Sequence, residues 1–198
     1  GVTHIPEELC CRDYKGFESL ETIVFSKSVI VIGSRAFQLC INLKSVVFAN
    51  DSQLRVIGDS AFCGCESLQS IAIPDSVTII GEGAFNLCTN LESVLFTDQS
   101  CLQEIGCEAF SECSSLQAMI IPKSVTEIGI RAFGYCFKLK AVIFAEHSKI
   151  QTIKEYTFHN CTSLQFINIP TTVTTIGELS FAWCLVLQVI DIPHQAAV

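Results

Sequence analysis

Apolar residues recur along the chain in a fixed register, and the core of the pattern is a segment of strand length. Each copy reads L-x-x-V/I-x-F/I, as in "LESVLF" at 91–96 and "LQAMII" at 116–121. β-Branched residues at alternating positions are typical of short strands, whose successive side chains point to opposite faces. We therefore expect Val94 and Phe96 to point to one face of a sheet, and Ser93 and Leu95 to the other.

The strand segment belongs to a longer repeating unit, which reads "IGEGAFNLCTNLESVLF" at 80–96. Further copies begin at Ile32, Ile57, Ile105 and Ile128, and looser copies begin at Ile153 and Ile176. The spacing alternates between 25 and 23 residues, so the full period is 48. One unit is too small to bury its own apolar face, and the pattern therefore predicts units stacked into a solenoid.

A degenerate copy stands at the start of the chain, where it keeps Leu20, Ile23 and Phe25 and has Tyr14 in place of the phenylalanine. The predicted organisation is a single domain over 1–198. Residues 1–25 form a degenerate repeat or cap, residues 26–192 form seven repeats, and residues 193–198 form a short tail. Since solenoids need terminal caps, the tail predicts either a longer natural array or end-to-end association.

The rest of each unit predicts how the chain returns from one strand to the next. A proline or polar turn follows the strand, and then comes an isoleucine–glycine pair. We expect the glycine because the backbone needs a turn that glycine tolerates. The following x-x-A-F-x-x-C has its alanine, phenylalanine and cysteine at short helical spacing. The pattern therefore predicts an α/β fold with a parallel sheet on one side and short helices or turns on the other.

Seven of the twelve cysteines share one register, three residues after a phenylalanine: Cys40, Cys65, Cys88, Cys113, Cys136, Cys161 and Cys184. A nucleophile occurs once beside a base, whereas a position repeated seven times indicates a column of small buried apolar residues. Five cysteines lie off this column: Cys10, Cys11, Cys63, Cys101 and Cys107. Cys10 or Cys11 in the first unit could form a disulfide, and the sequence leaves this alternative undecided. No cysteine spacing indicates a metal site.

Composition narrows the function classes further. The net charge of −8 and the pI of about 4.9 argue against a nucleic-acid-binding protein. No apolar run is long enough to span a bilayer, and the first residues lack the features of a signal peptide. His159 and Cys161 are close in sequence, but Cys161 belongs to the buried column and His159 to an exposed helical position. We expect no enzyme and no cofactor, because no catalytic or phosphate-binding motif occurs.

The repeat I-G-x-x-A-F-x-x-C-x-x-L-x-x-I-x-I-P resembles the BspA-type leucine-rich repeat family from Leu20 to Pro193. Lys154 departs from it at the glycine, and Thr157 and Ser180 depart from it at the alanine. The resemblance implies a curved leucine-rich repeat solenoid with its parallel β-sheet on the concave face. It also implies a cell-surface or secreted protein with an adhesion role in bacteria or parasitic protists. The frequent cysteines favour the protist branch, such as trichomonads.

The outward positions of the strands predict an apolar stripe on the concave face. We predict that it binds protein through Val47, Leu95, Ile120, Ile143 and Phe166, with Lys44, Glu92 and Lys140 as rim charges. An apolar patch with a polar rim is typical of protein-binding surfaces. The alternative is that β-branched residues favour strands and simply cover one another.

The expected function is therefore a non-enzymatic adhesion module with a protein partner. That partner is an extracellular matrix protein, or a host or microbial surface protein, rather than a nucleic acid or a small molecule. The alternative is a cytoplasmic assembly scaffold that acts by self-association of the solenoid. A signal peptide or anchor elsewhere in the gene would favour adhesion.

Overall fold

The computed structural model describes residues 1–10 and 17–191, which form a parallel β-solenoid of about seven turns. Each of its two faces carries eight strands, and consecutive strands of a face are one turn apart. The long-strand face consists of β2 (Thr22–Phe25), β4 (Ser45–Phe48), β6 (Ser70–Ala72), β8 (Ser93–Leu95), β10 (Ala118–Ile121), β12 (Ala141–Phe144), β14 (Phe166–Asn168) and β16 (Val189–Asp191). The short-strand face consists of β1 (His4–Ile5), β3 (Val31–Ile32), β5 (Val56–Ile57), β7 (Ile79–Ile80), β9 (Glu104–Ile105), β11 (Glu127–Ile128), β13 (Thr152–Ile153) and β15 (Thr175–Ile176).

The strands of both faces pair in parallel with the corresponding strand of the next turn. On the long-strand face the paired groups are β2-β4, β6-β8 and β10-β12-β14-β16. On the short-strand face the order is β1-β3-β5-β7-β9-β11, followed by a separate pair β13-β15. The register follows the repeat, so that Ile120 lies opposite Ile143 and Ile57 opposite Ile80.

The interior of the solenoid is a set of side-chain columns. Phe62, Phe85, Phe110, Phe133 and Phe158 are fully buried, and consecutive rings stack with centroids 5.3–5.6 Å apart. The predicted cysteine column is buried beside this stack, apart from the half-buried Cys184. Each Sγ from Cys65 onward donates to the phenylalanine carbonyl of the preceding turn, as in the 3.2 Å contact from Cys113 to Phe85. A thiol therefore satisfies a carbonyl that would otherwise be buried without a second partner.

The prediction of short helices is wrong, because residues 1–10 and 17–191 contain no helix. The x-x-A-F-x-x-C segments form tight turns instead. Leu87 (φ 60°) and Glu112 (φ 59°) adopt left-handed backbone conformations, which end any right-handed helix. The amide of Phe85 donates to Ala109 of the next turn at 2.8 Å rather than to its own segment. The fold is therefore a β-solenoid, and the α/β class is corrected.

The reason given for the glycine column is also wrong. Gly33, Gly58, Gly81, Gly106, Gly129 and Gly177 do not have left-handed φ angles. They are required because successive turns approach closely at this point. A Cβ on Gly106 would lie 2.6 Å from the amide nitrogen of Glu82, which real side chains do not tolerate.

Lys154 occupies the glycine position, and the short-strand sheet is interrupted there. Gly129 donates to Ile105, and Gly177 donates to Ile153, at 2.8 and 2.7 Å. Within the part of the chain that the structure describes, the amide of Lys154 makes no such bond to Ile128. The amide of Gln151 likewise makes no bond to Thr126 of the preceding turn. A groove of about 710 Å³, lined partly by Thr126 and Gln151, opens at this junction.

Two regions of the sequence predictions lie outside the described residues. These are Cys11 and Tyr14 in the first unit, and the tail at 193–198. Cys10 is described and buried, and its thiol is hydrogen-bonded to Cys40. The division of the chain into cap, repeats and tail stays a prediction.

Candidate functional site

The predicted binding residues lie in two adjacent rows of the long-strand face, which together we call the apolar row. Val47, Leu95, Ile120 and Ile143 share one position of the repeat, and Phe166 lies beside them, opposite Ala141. Val47, Leu95, Ile120, Ile143 and Phe166 are 40–56% exposed, far more than the interior residues beside them. In the same strands Val46, Val94 and Val142 are buried, so the alternation predicted from the sequence is present. The structure therefore places this row on the surface; its role in binding stays a prediction.

The second half of the row stands on the most continuous part of the sheet. Ile120 lies opposite Ile143 on paired strands, and Ala141 lies opposite Phe166 on the next pair. This four-stranded group crosses the Lys154 junction without interruption, although the short-strand sheet does not. Ile120, Ile143 and Phe166 are consequently held on one hydrogen-bonded platform.

The first half of the row borders a groove. β4 and β6 are not paired, and a groove of about 580 Å³ lies between them. Val47 and Leu95 stand on either side of Ala72, whose small side chain leaves the floor low. Lys44 and Asp75 contribute polar walls. The groove could accommodate an apolar side chain of a partner protein, with polar groups of the partner contacting Lys44 and Asp75.

The predicted rim charges have different partners. Lys44 Nζ is 3.2 Å from Glu21 Oε2, and both side chains are more than half exposed. Glu92 accepts a hydrogen bond of 3.4 Å from Gln117 Nε2. Lys140 is exposed and forms no ion pair with the described residues. Exposed pairs of this kind contribute little to stability, which leaves them available to a partner.

Asn168 ends the apolar row for a structural reason. Its Oδ1 accepts a hydrogen bond from the Phe144 amide at 2.8 Å, and its Nδ2 donates to the Phe144 carbonyl at 3.0 Å. The side chain thus caps the end of β12. The outward position that Ile143 occupies in β12 is therefore polar in β14.

The cysteine column has the properties of packing rather than of chemistry. Burial raises the pKa of the Cys65, Cys88, Cys113 and Cys161 thiols well above the usual value of 9.0. Burial also raises the pKa of Cys184, to about 11. A neutral buried thiol is a poor nucleophile and a poor metal ligand. Cys40 differs, because its hydrogen bond with the Cys10 thiol lowers its pKa.

The neighbourhood of His159 differs from the prediction. The residue lies in a turn rather than a helix, and it is half-buried rather than exposed. Its ring makes edge-on contacts with Tyr135 and Tyr156, with centroids 5.5 Å apart in both pairs. Sequence reasoning missed this aromatic group because its members occupy positions where the repeat has no preference. The sequence did contain a clue, because aromatic residues occur at such variable positions in two consecutive units.

Among residues 1–10 and 17–191, no group of three or more His, Cys, Asp or Glu side chains has a geometry that could hold a metal ion. No helix in the same residues is long and apolar enough to cross a membrane.

Comparisons with known proteins agree with the architecture. The model of the BspA-type leucine-rich repeat region matches residues 8–101 and 96–197, with 6 copies. A leucine-rich repeat protein from T. pallidum is 28% identical, with a TM-score of 0.77. The match covers 88% of this chain and 81% of that one. No curated protein matches the chain.

A second solved structure is the pneumococcal vaccine antigen PcpA, which is 25% identical with a TM-score of 0.70. That match covers 98% of this chain but 57% of the antigen, so the chain spans little more than half of it. Leucine-rich repeat solenoids are generally non-enzymatic modules for protein interaction or adhesion, and BspA-like members are often surface or secreted proteins. With the family model matching nearly all of its length, this chain belongs to the BspA-type leucine-rich repeat family.

Proposed function

We propose that this chain is a non-enzymatic adhesion module that binds a protein partner through its long-strand face. The observation that carries the proposal is the row of exposed apolar side chains at Val47, Leu95, Ile120, Ile143 and Phe166. Soluble proteins rarely leave a contiguous apolar row uncovered unless it contacts something.

The row has the composition of an interface centre. Burying an exposed leucine, isoleucine or phenylalanine contributes about 1.5–3 kcal/mol when the side chain becomes fully covered. Leu95 and Ile120, both 56% exposed, have the most surface to bury. We assign them, with Ile143 and Phe166, as the anchors of the interface. Anchors near the centre of an interface supply most of its binding energy.

The charged residues beside the row supply orientation. Lys44, Glu92 and Lys140 are exposed and carry both signs. Rim charges act mainly on the association rate and on the choice of partner. A partner with carboxylates facing Lys140 and a cation facing Glu92 would dock in one register.

The partner that we propose is an extracellular matrix protein, or a surface protein of a host or microbial cell. A cell-surface or secreted location follows from that role. Support comes from the family, whose members are often surface or secreted, and from the similarity to a pneumococcal vaccine antigen. No cofactor is needed, because recognition rests on surface complementarity.

The test compares binding of the parent protein with that of Ile120→Glu/Ile143→Glu. Immobilised extracellular matrix proteins and intact host or microbial cells serve as probes. The control Gln103→Glu/Thr174→Glu introduces the same charge at exposed positions by the short-strand face. Circular dichroism and the melting temperature must match the parent for both variants.

We expect at least a tenfold loss of affinity for the row variant and less than a twofold change for the control. Equal binding by the row variant and the parent would contradict the proposal, as would a parent that binds none of the probes. Analytical ultracentrifugation of the same samples tests the alternative of self-association. Concentration-dependent self-association that the row variant abolishes would favour an assembly scaffold instead.

A further inference from the structure

A second surface of the solenoid has a different chemistry from the long-strand face. We define the turn face as the segments between each glycine-column position and the residues that follow the column cysteine: 33–42, 58–67, 81–90, 106–115, 129–138, 154–163 and 177–186. Its carboxylates are Asp59, Glu66, Glu82, Glu108, Glu112, Glu155 and Glu178. Its cations are Arg35, Arg131, Lys138 and Lys154.

The turn face has many more unpaired carboxylates than unpaired cations, so its net charge is negative. Arg35 pairs with Glu8 at 3.1 Å, Arg131 with Glu108 at 3.0 Å, and Lys154 with Glu127. Within residues 1–10 and 17–191, the other six carboxylates of the turn face have no ion-pair partner, and all six are exposed. Lys138 is the one remaining cation there. The long-strand face differs, because the charges beside its strands, Glu21, Lys44, Glu92 and Lys140, balance.

Aromatic side chains lie among these carboxylates. Tyr135 contacts Phe137 with centroids 6.2 Å apart and the rings nearly perpendicular. Phe137 is 43% exposed, and Trp183 is 64% exposed. Glu112, Tyr135 and Trp183 occupy the same position in their units, so they lie along one column of the face. Stacked turns repeat about every 4.8 Å along such a column.

One contact within the protein already shows the chemistry that this face favours. The Arg131 guanidinium carbon lies 5.3 Å from the centroid of the Tyr156 ring, while an Nη1 of the same residue bonds Glu108. A guanidinium is thus held between an aromatic face and a carboxylate. Phe137 and Trp183, with Glu112, Glu155 and Glu178 in neighbouring turns, offer the same two kinds of group to an incoming cation.

We propose that the turn face is a second docking surface, specific for a lysine- and arginine-rich segment of a protein partner. The excess of unpaired carboxylates attracts the segment, and the exposed aromatic rings hold its cationic side chains. Because the residues are distinct from the anchors of the long-strand face, the two surfaces can be tested separately.

The test uses the intact chain and a fluorescent dodecapeptide of alternating arginine and glycine, with the matching glutamate–glycine peptide as a negative probe. Binding is measured by fluorescence anisotropy at 50 and 300 mM NaCl. The first variant is Glu112→Gln/Glu155→Gln/Glu178→Gln. Its control, Asp51→Asn/Asp98→Asn/Glu146→Gln, makes the same change in net charge at exposed positions off both the turn face and the long-strand binding surface.

We expect saturable binding of the arginine peptide that weakens at the higher salt concentration, because exposed charges are then screened. The turn-face variant should lose about tenfold in affinity and the control less than twofold. An equal loss in both variants would show attraction to the net charge alone and would overturn the proposal. Absence of binding by the parent at the lower salt concentration would also overturn it.

A second variant tests the aromatic part. Phe137→Leu/Trp183→Leu keeps apolar side chains but removes the π faces, and it should weaken binding about threefold or more. Both positions are exposed, so the melting temperature should stay close to that of the parent. Unchanged affinity would show that the rings take no part, and the assignment of an aromatic and acidic site would then be wrong.

Discussion

Two neighbouring junctions between turns have different residues at the glycine position, Gly129 and Lys154. The short-strand ladder is continuous at the first junction and interrupted at the second. At Gly129 the backbone amide reaches Ile105 of the preceding turn at 2.8 Å, and β9 pairs with β11. At Lys154 the corresponding bond is missing within the described residues, and β11 and β13 are unpaired. A side chain at this position separates two backbones that glycine would allow to touch.

The interior does not follow that interruption. Phe133 and Phe158 stack across the Lys154 junction at 5.5 Å, and Cys161 Sγ donates to Phe133 at 3.2 Å. β12 and β14 also stay paired on the opposite face. Side-chain columns therefore keep the turns in register even where one backbone ladder opens. The apolar row of the long-strand face therefore keeps its supporting strands although the short-strand ladder is interrupted at Lys154.

Alkaline pH should have the largest effect, because it acts on the thiol column that runs through every junction. Burial raises the pKa of six column thiols above 9.0, so the unfolded chain ionises first and folding stability falls as pH rises above about 9. Each thiol then costs up to about 1.4 kcal/mol per pH unit. We expect the free energy of unfolding to drop by about 5 kcal/mol between pH 9 and 10, as measured by urea titration.

The control for this prediction is Cys113→Ser, which removes one titrating group and keeps a donor for the Phe85 carbonyl. The free energy of unfolding of this variant should fall less steeply with pH than that of the parent, by up to about 1.4 kcal/mol per pH unit, because one thiol is missing. A free energy of unfolding that is constant from pH 8 to 10 would contradict the buried column.

Gly106→Ala should introduce a second interruption into the regular part of the short-strand face. The added Cβ would lie 2.6 Å from both the Glu82 nitrogen and the Gly81 carbonyl carbon, and backbone cannot move aside cheaply. We expect a loss of about 3 kcal/mol in the free energy of unfolding.

Gly134→Ala is the matched control for Gly106→Ala. Its Cβ would meet the Cγ of the Arg131 side chain rather than backbone, and Asn86, Ser111 and Ala182 occupy the same position in other turns. The cost should therefore stay below about 1 kcal/mol. If both variants lose the same stability, then close backbone approach is not what the glycine column provides.

Lys154→Gly should repair the natural interruption and have the smallest effect. The new turn can form the missing ladder bonds, each contributing about 0.5–1.5 kcal/mol, while glycine costs about 0.5–1 kcal/mol in chain entropy. The exposed Lys154–Glu127 pair contributes little. We expect a net gain of about 1 kcal/mol in chemical denaturation.

Thr157→Ala provides the comparison for Lys154→Gly, since it restores the repeat consensus three residues away without changing the glycine column. It removes the bond from Thr157 Oγ1 to the Lys154 carbonyl and should not stabilise the protein. A larger gain from Thr157→Ala than from Lys154→Gly would contradict the role assigned to the glycine column.

Much of the fold could be predicted from the sequence, because one register repeated seven times fixes which residues share a face. The strands, the buried cysteines and the exposure of Leu95 and Ile120 all follow from that register. The helices were wrong because alanine, phenylalanine and cysteine spacing suits a helical turn equally well. Only the left-handed conformations at residues such as Leu87 and the bonds between turns distinguish the two structures.

The rest depends on contacts that a register does not contain. Glycine is compatible both with unusual φ angles and with close packing, and only the 2.6 Å approach to Glu82 decides between them. The aromatic contacts of His159, and the pairing of Arg131 with Glu108, join residues at variable positions of different turns. The acidic turn face is therefore visible only once the turns are stacked.

Native-state hydrogen exchange on the unmodified protein, resolved by residue, distinguishes an open Lys154 junction from a closed one. We predict strong protection of the β12 and β14 amides, such as Val142 and Ile167, and rapid exchange of Gln151 and Lys154. Gly129 and Gly177 should be protected, because their amides bond the preceding turn. Equal protection of Lys154 and Gly129 would contradict an open junction, and rapid exchange of Val142 would contradict the continuous platform beneath the apolar row.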